Sequence, residues 1–393
     1  MKNKKCNFIT SILLLIMIII FLLTVYFCLD VFGIINVPKK YSIASILYSQ
    51  IEGIASGENL LENIISTGEK KIVVVSKDSA EVSSQNVKNP LEELDNSEKN
   101  TKNIQNTYDT NKFYYNQLDE YGKLLYTELY ANKEQLKTGT FKAEYGVTFN
   151  SLLQEEGGNE ILSNALDGAI NALVLDNPEI FYIDITKMYL VTNITKKVFS
   201  TTYNVSISGN GNSYLDEAFT STEQVEKAIK DVKAIKDRVI DTATGSTVDK
   251  IKTVHDYLVD SITYDANNGS TVYNIYGALV NQKVVCEGYA KAFKYILDDL
   301  GIPCIIVCGT GTNSSGLTES HAWNYVQIEG KWYALDVTWD DPVTGIPGGY
   351  VPTDLKYSYF LKGSEEFFEN HVEDESMLGK VRLNYPYLSQ TDY

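Results

Sequence analysis

Three residues in the last third of the chain have the types needed for thiol-based acyl transfer. Cys286 opens the segment CEGYAKAFKYILDDL, His321 opens HAWNYV, and Asp336 lies within KWYALDVTWDDP. A cysteine supplies a nucleophile, and a histidine can take the thiol proton and return it to a leaving group. A carboxylate can fix the imidazole tautomer and stabilise its cation. These roles make sense only if the surrounding elements bring the three side chains together.

The elements can be read from spacing. Ala290, Phe293, Ile296, Leu297 and Leu300 recur at helical intervals, and Gly301 and Pro303 end the pattern. Cys286 therefore starts a helix, where unpaired N–H groups and the helix dipole favour a thiolate. The same N–H groups could stabilise an oxyanion. Residues 321–328 and 331–339 read as strands joined by Glu329-Gly330, a pair that suits a two-residue turn. With that turn Ile328 faces Lys331 and Trp323 faces Asp336. Alternation then puts His321, Trp323 and Tyr325 on one face with Trp332, Ala334, Asp336 and Thr338. His321 and Asp336 become diagonal cross-strand neighbours, and a one-residue slip would separate them.

In order, CEGYAKAF, GIPCIIVCG, HAWNYV and KWYALDVTWDDP resemble the transglutaminase-like superfamily, in a membrane-anchored bacterial form. The resemblance spans roughly residues 247–342. It implies a papain-like α+β core, with a helix-borne cysteine packed on an antiparallel sheet carrying His and Asp. It also implies Cys286, His321 and Asp336 as a catalytic triad. Val285 departs from the pattern, since many relatives carry glycine before the cysteine. Tyr264 is a candidate second oxyanion donor, with packing as its alternative role.

Composition limits the partners. The formal charge of −17 over 393 residues leaves no basic surplus for a nucleic-acid backbone. No zinc-ligand spacing and no glycine-rich phosphate loop is present, so neither metal nor cofactor is expected. Asp340 and Asp341 are too few for a calcium loop. Cys304 and Cys308 lie four apart on a strand, about 13 Å between Cα atoms, too far to bridge. Of the other histidines, His255 beside an apolar stripe reads as packing, and His371 in the polar FENHVED as surface. Trp323, Trp332 and Trp339 read as core.

At the N-terminus, three lysines precede an uncharged apolar run at 8–29, long enough to span a hydrocarbon core of roughly 30 Å. The lysines place residues 1–7 in the cytoplasm and the rest outside the cell. A juxtamembrane helix and a flexible tether rich in Ser, Asn, Glu and Lys fill 30–109. Residues 110–242 read as an α+β accessory domain without a chemical motif, and residues 245–393 as the catalytic domain. Within the accessory domain a helix is expected from Phe113 to Leu129, capped by Thr110, and another over 159–175. Strands are expected at 140–148, 179–185, 188–194 and 197–207, with a further helix over 221–240. The expected function is extracytoplasmic attack on protein or peptide amides through a cysteine thioester, as a peptidase, amidase or transglutaminase. The rival is a non-catalytic surface-binding module that keeps the fold.

Overall fold

A computed structural model describes residues 70–75, 112–197, 200–267, 269–341, 355–376 and 381–393. The expected membrane helix at 8–29, the juxtamembrane helix, the tether and the Thr110 cap lie outside the described residues. Among the described residues no helix is long and apolar enough to cross a membrane. Contacts divide the chain into 71–194 with 202–393, and 1–70 with 195–201. The first unit carries the candidate site.

The described residues form helices and two four-stranded sheets with a further pair of short strands. The first sheet has the order β1-β3-β4-β2, from Lys70–Val75 (β1), Ala143–Gly146 (β2), Tyr189–Lys197 (β3) and Ser200–Ser208 (β4). The helix expected from Phe113 to Leu129 is two helices, Phe113–Gln117 (α1) and Glu120–Ala131 (α2). The break has a local cause: Asp119 caps α2 by accepting from the Gly122 N–H at 2.6 Å, a contact that typically contributes about 1 kcal/mol. Gly158–Asp176 (α3) ends at the Asn177-Pro178 stop. The strand expected at 179–185 does not form. Ile183 makes a single bridge to Leu215, and Asp184 turns the chain by accepting from the Thr186 N–H.

Thr222–Thr242 (α4) starts at Ser221, which accepts from the Gln224 N–H, while the Gln224 side chain reaches one residue further back, to the Thr220 N–H. Thr247–Ser261 (α5) begins with a complete capping box between Ser246 and Asp249. Two short parallel strands follow, Thr263–Tyr264 (β5) and Lys283–Val284 (β6). The second sheet is antiparallel throughout, in the order β10-β7-β8-β9. It comprises Cys304–Thr312 (β7), Thr318–Ile328 (β8), Lys331–Leu335 (β9) and His371–Glu373 (β10). One contiguous cluster of buried side chains runs from Phe113 to Tyr385. Residues 110–242 and 245–393 thus contribute to the same core, and the Tyr114 hydroxyl, donating to the Ile306 carbonyl at 2.6 Å, ties α1 to β7.

Candidate active site

Cys286–Asp299 (α6) carries the thiol. Two features seat its start. Val285 is extended, with φ −100° and ψ −178°, and its N–H donates to the Val272 carbonyl at 3.1 Å. Gly288 lies so close to β6 that a Cβ there would stand 2.5 Å from the Val284 Cβ and 2.7 Å from the Val272 oxygen. Further along, Phe293, Ile296 and Leu297 are fully buried, and the Asn324 amide of β8 donates to the Ala290 carbonyl at 3.0 Å. Cys286 itself is half-buried, whereas Cys304 and Cys308 are buried free thiols on β7. Burial pushes both of those thiols well above the ordinary range.

The β8–β9 register is the one read from the turn. Ile328 pairs with Lys331 and Asn324 with Leu335, so Trp323 stands opposite Asp336. Glu329 and Gly330 have φ of 51° and 79°, as a two-residue turn with both residues left-handed requires. Across this hairpin His321 Nε2 lies 2.6 Å from Asp336 Oδ2. The remaining ring nitrogen, Nδ1, is not engaged by Asp336, and Cys286 lies near enough to help raise the His321 pKa.

Asp336 is completely buried and fully used. Its Oδ1 accepts from the Thr338 N–H at 2.9 Å and the Trp339 N–H at 3.2 Å. Its Oδ2 receives His321 and also His371, whose Nε2 lies 3.2 Å away. Burial alone would raise its pKa. The His321 charge and hydrogen bond, followed by those of His371, outweigh burial and hold the carboxyl well below the usual carboxylate range.

His371 corrects the surface placement expected from its polar neighbours. It is fully buried on β10, and its ring stacks on Phe367 at 4.0 Å with Trp339 at 4.5 Å and Trp323 at 5.0 Å. His255 is also fully buried, with Nε2 3.1 Å from Asp340 Oδ2 and Nδ1 3.1 Å from Asp256 Oδ1. Trp323 and Trp332 are core residues; Trp339 is half-buried and stacks on the His321 ring at 5.0 Å. Tyr264 lies on β5 with 38% of its surface exposed. Its phenol is raised by burial and then by the Cys286 charge.

Donor atoms of His321, Asp336 and His371 lie within 4.8 Å of one another, a spacing compatible with a metal ion. Both imidazole Nε2 atoms, however, are at hydrogen-bonding distance from the one oxygen, Asp336 Oδ2. The cluster is therefore satisfied by hydrogen bonds as it stands.

The same contacts set a pH dependence. Burial would lower the His321 pKa, but the Asp336 charge, the hydrogen bond to it and then Cys286 raise it to about 10. Folding thus raises this pKa above its ordinary 6.5. The resulting stabilisation is fully present below about pH 6.5 and is lost as pH rises through about 10. In thermal melts the advantage of the wild type over His321→Gln will be largest near pH 6.5 and shrink steadily toward pH 10. A difference that stays constant across that range would show that His321 gains no proton affinity on folding.

Residues 233–337 match the sequence model of the Transglutaminase-like superfamily. Kyphoscoliosis peptidase of Mus musculus is 27% identical over 141 residues, which is 33% of this chain and 21% of that protein. Its Homo sapiens counterpart is 33% identical over 104 residues, 24% of this chain and 16% of the other. The matched part of the chain thus spans about a fifth of these relatives' length. A solved TGase structure aligns over 42% of this chain and 47% of its own at 18% identity, with a TM-score of 0.26, too low to carry an argument. The chain therefore contains a transglutaminase-like domain, with a coarse likeness to peptidases and transglutaminases.

Proposed function

We propose that Cys286, His321 and Asp336 act as a thiol acyl-transfer centre on protein or peptide amides, outside the membrane in which residues 8–29 anchor the chain. The observation that carries this reading is the His321 ring, bonded through Nε2 to the buried Asp336 carboxylate, with its other nitrogen uncommitted and a half-buried thiol at the start of α6. With its pKa raised, His321 already holds the thiol's proton at neutral pH, so Cys286 Sγ attacks the amide carbon as the thiolate. The N–H groups at the start of α6, together with Tyr264, stabilise the oxyanion. His321 then gives its proton to the leaving amine, and a thioester remains on Cys286. Water resolves the thioester to a carboxylic acid and a free thiol, which makes the protein a peptidase. Transfer to a lysine amine instead would make it a transglutaminase. A surface-binding module that merely keeps the fold would need none of these protons to move.

The two buried cysteines provide an internal control. At neutral pH, iodoacetamide will label Cys286 at least about tenfold faster than the same thiol in the unfolded chain, because the thiolate is the reactive form. Cys304 and Cys308 will remain unlabelled in the native protein. His321→Ala will abolish the acceleration. Site-resolved mass spectrometry reads all three thiols. A Cys286 rate no faster than in the unfolded chain would leave the binding-module reading standing.

A further inference from the structure

A cavity of 410 Å³ opens beside the first turns of α6. One wall is Glu287 and Lys291, the first of which directly follows Cys286. Val174, Leu175, Ile180 and Phe181 give the lining an apolar part. Tyr273 and Cys308 also line it. The cavity therefore adjoins the first turn of α6, which carries Cys286.

The charges in this cavity do not balance. Glu287 is paired with Lys291 at 2.5 Å, and Asp184 with Lys187 at 3.1 Å. Asp216 is only 5% exposed, yet no lysine or arginine among the described residues forms an ion pair with it. Its hydrogen bonds both fall on Oδ1, from the Ala218 N–H at 3.0 Å and the Ser270 hydroxyl at 2.5 Å. Oδ2 is left without a protein donor. A buried carboxylate without a cation is costly unless something supplies the missing charge.

We infer that this cavity is a specificity subsite for a lysine side chain of a peptide substrate, with the ammonium on Asp216 Oδ2 and the aliphatic stem against the apolar part of the lining. That the occupant belongs to a peptide rests on the acyl-transfer reading above; that it is a cation with an apolar stem does not. Lysine fits better than arginine because Oδ1 is already taken. A single open oxygen suits a compact point charge, whereas a guanidinium seeks both carboxylate oxygens. An ammonium held against a carboxylate stays protonated and cannot attack a thioester. The subsite therefore recognises lysine and does not deliver it as an acyl acceptor. It also gives residues 171–186 and 216 a part in recognition.

The test measures binding without catalysis. Full-length Cys286→Ala protein is titrated calorimetrically with a blocked alanine pentapeptide carrying lysine, arginine or norleucine at its centre. The lysine peptide will bind at least about tenfold more tightly than norleucine, in line with a desolvated charge-assisted hydrogen bond, and also more tightly than arginine. Asp216→Asn keeps the Oδ1 acceptor for Ala218 and Ser270; it will remove most of the lysine advantage and leave norleucine affinity unchanged. Val174→Trp, which fills the cavity from a half-buried position, will weaken lysine binding with Asp216 intact. Equal affinity for lysine and norleucine overturns the inference, as does lysine preference that survives Asp216→Asn. Neither result depends on whether Cys286 is reactive, so failure here is distinguishable from failure of the acyl-transfer reading.

Discussion

Asp336→Asn will lower the rate of peptide-amide cleavage by about 10³–10⁴-fold while leaving the protein folded. The magnitude is that expected when a catalytic imidazole loses the carboxylate that sets its tautomer. Asparagine can still accept from the Thr338 and Trp339 N–H groups through its oxygen. Its amide then turns an NH₂ toward His321 Nε2 and His371 Nε2, where the wild type presents one negative oxygen. His321 must offer a lone pair to that NH₂, which puts its proton on Nδ1, the nitrogen that should receive the thiol proton. Asp336→Ala goes further and strips two buried rings of their shared acceptor. Its cost to stability will be about 3–5 kcal/mol, the range for breaking a buried charged pair from one side. His371→Phe keeps the stacked ring on Phe367 and removes one hydrogen bond from Asp336. It will lower the rate by about tenfold, as for the loss of one hydrogen bond to a charged group. Steady-state kinetics with thermal melts separates the three variants. Near-wild-type turnover by Asp336→Asn would mean that His321 is oriented by something other than this carboxylate.

What the sequence disclosed about this cluster follows from the range of the forces involved. Alternation and a two-residue turn are local rules, and they placed His321 diagonally across from Asp336 with the pairing the structure has. The helix start at Cys286 was equally local, marked by an apolar spacing and a Gly-Pro stop. His371 was hidden because its surroundings are tertiary. FENHVED looks solvated, yet the histidine pairs with Gly311 of β7 and is covered by aromatic rings from distant segments. A signal was present in the CGTGT of β7, since glycines within a strand mark places where another chain segment comes close. A Cβ on Gly309 would stand 2.0 Å from the Val372 carbonyl and 2.7 Å from Trp323, and one on Gly311 2.7 Å from Trp339. Those two glycines make room for β10 and the indoles around His371. The helix break at Leu118 was missed for a related reason. Apolar spacing continues through it, and only the Asp119 cap restarts the helix. At 179–185 the apolar run looked like a strand, but it serves the core through a turn and a single bridge.

The second large effect belongs to Gly288. On helix propensity alone, Gly288→Ala should stabilise α6 by up to about 1 kcal/mol. Packing reverses the sign. The new methyl would meet the Val284 Cβ at 2.5 Å and the Val272 carbonyl oxygen at 2.7 Å. Neither obstacle is the free end of a flexible side chain. Val284 is fully buried in β6, and the Val272 oxygen is held by the Val285 N–H, one residue before the thiol. Relief requires the first turn of α6 to move away from β6. Overpacking of this kind typically costs about 1–3 kcal/mol, so the net change will be a destabilisation of about 2 kcal/mol or less. The larger consequence is positional. Phe293, Ile296 and Leu297 anchor the rest of the helix, so displacement concentrates at its start, which carries Cys286. A shift of about 1 Å between reacting groups can cost about 10²-fold in rate. Gly288→Ala will therefore lose about two orders of magnitude in turnover and most of the accelerated alkylation of Cys286, out of proportion to its small loss of melting temperature. A variant that melts lower but alkylates at the wild-type rate would mean that the clash is absorbed in β6 and that the thiol is not positioned by the close seat of this glycine.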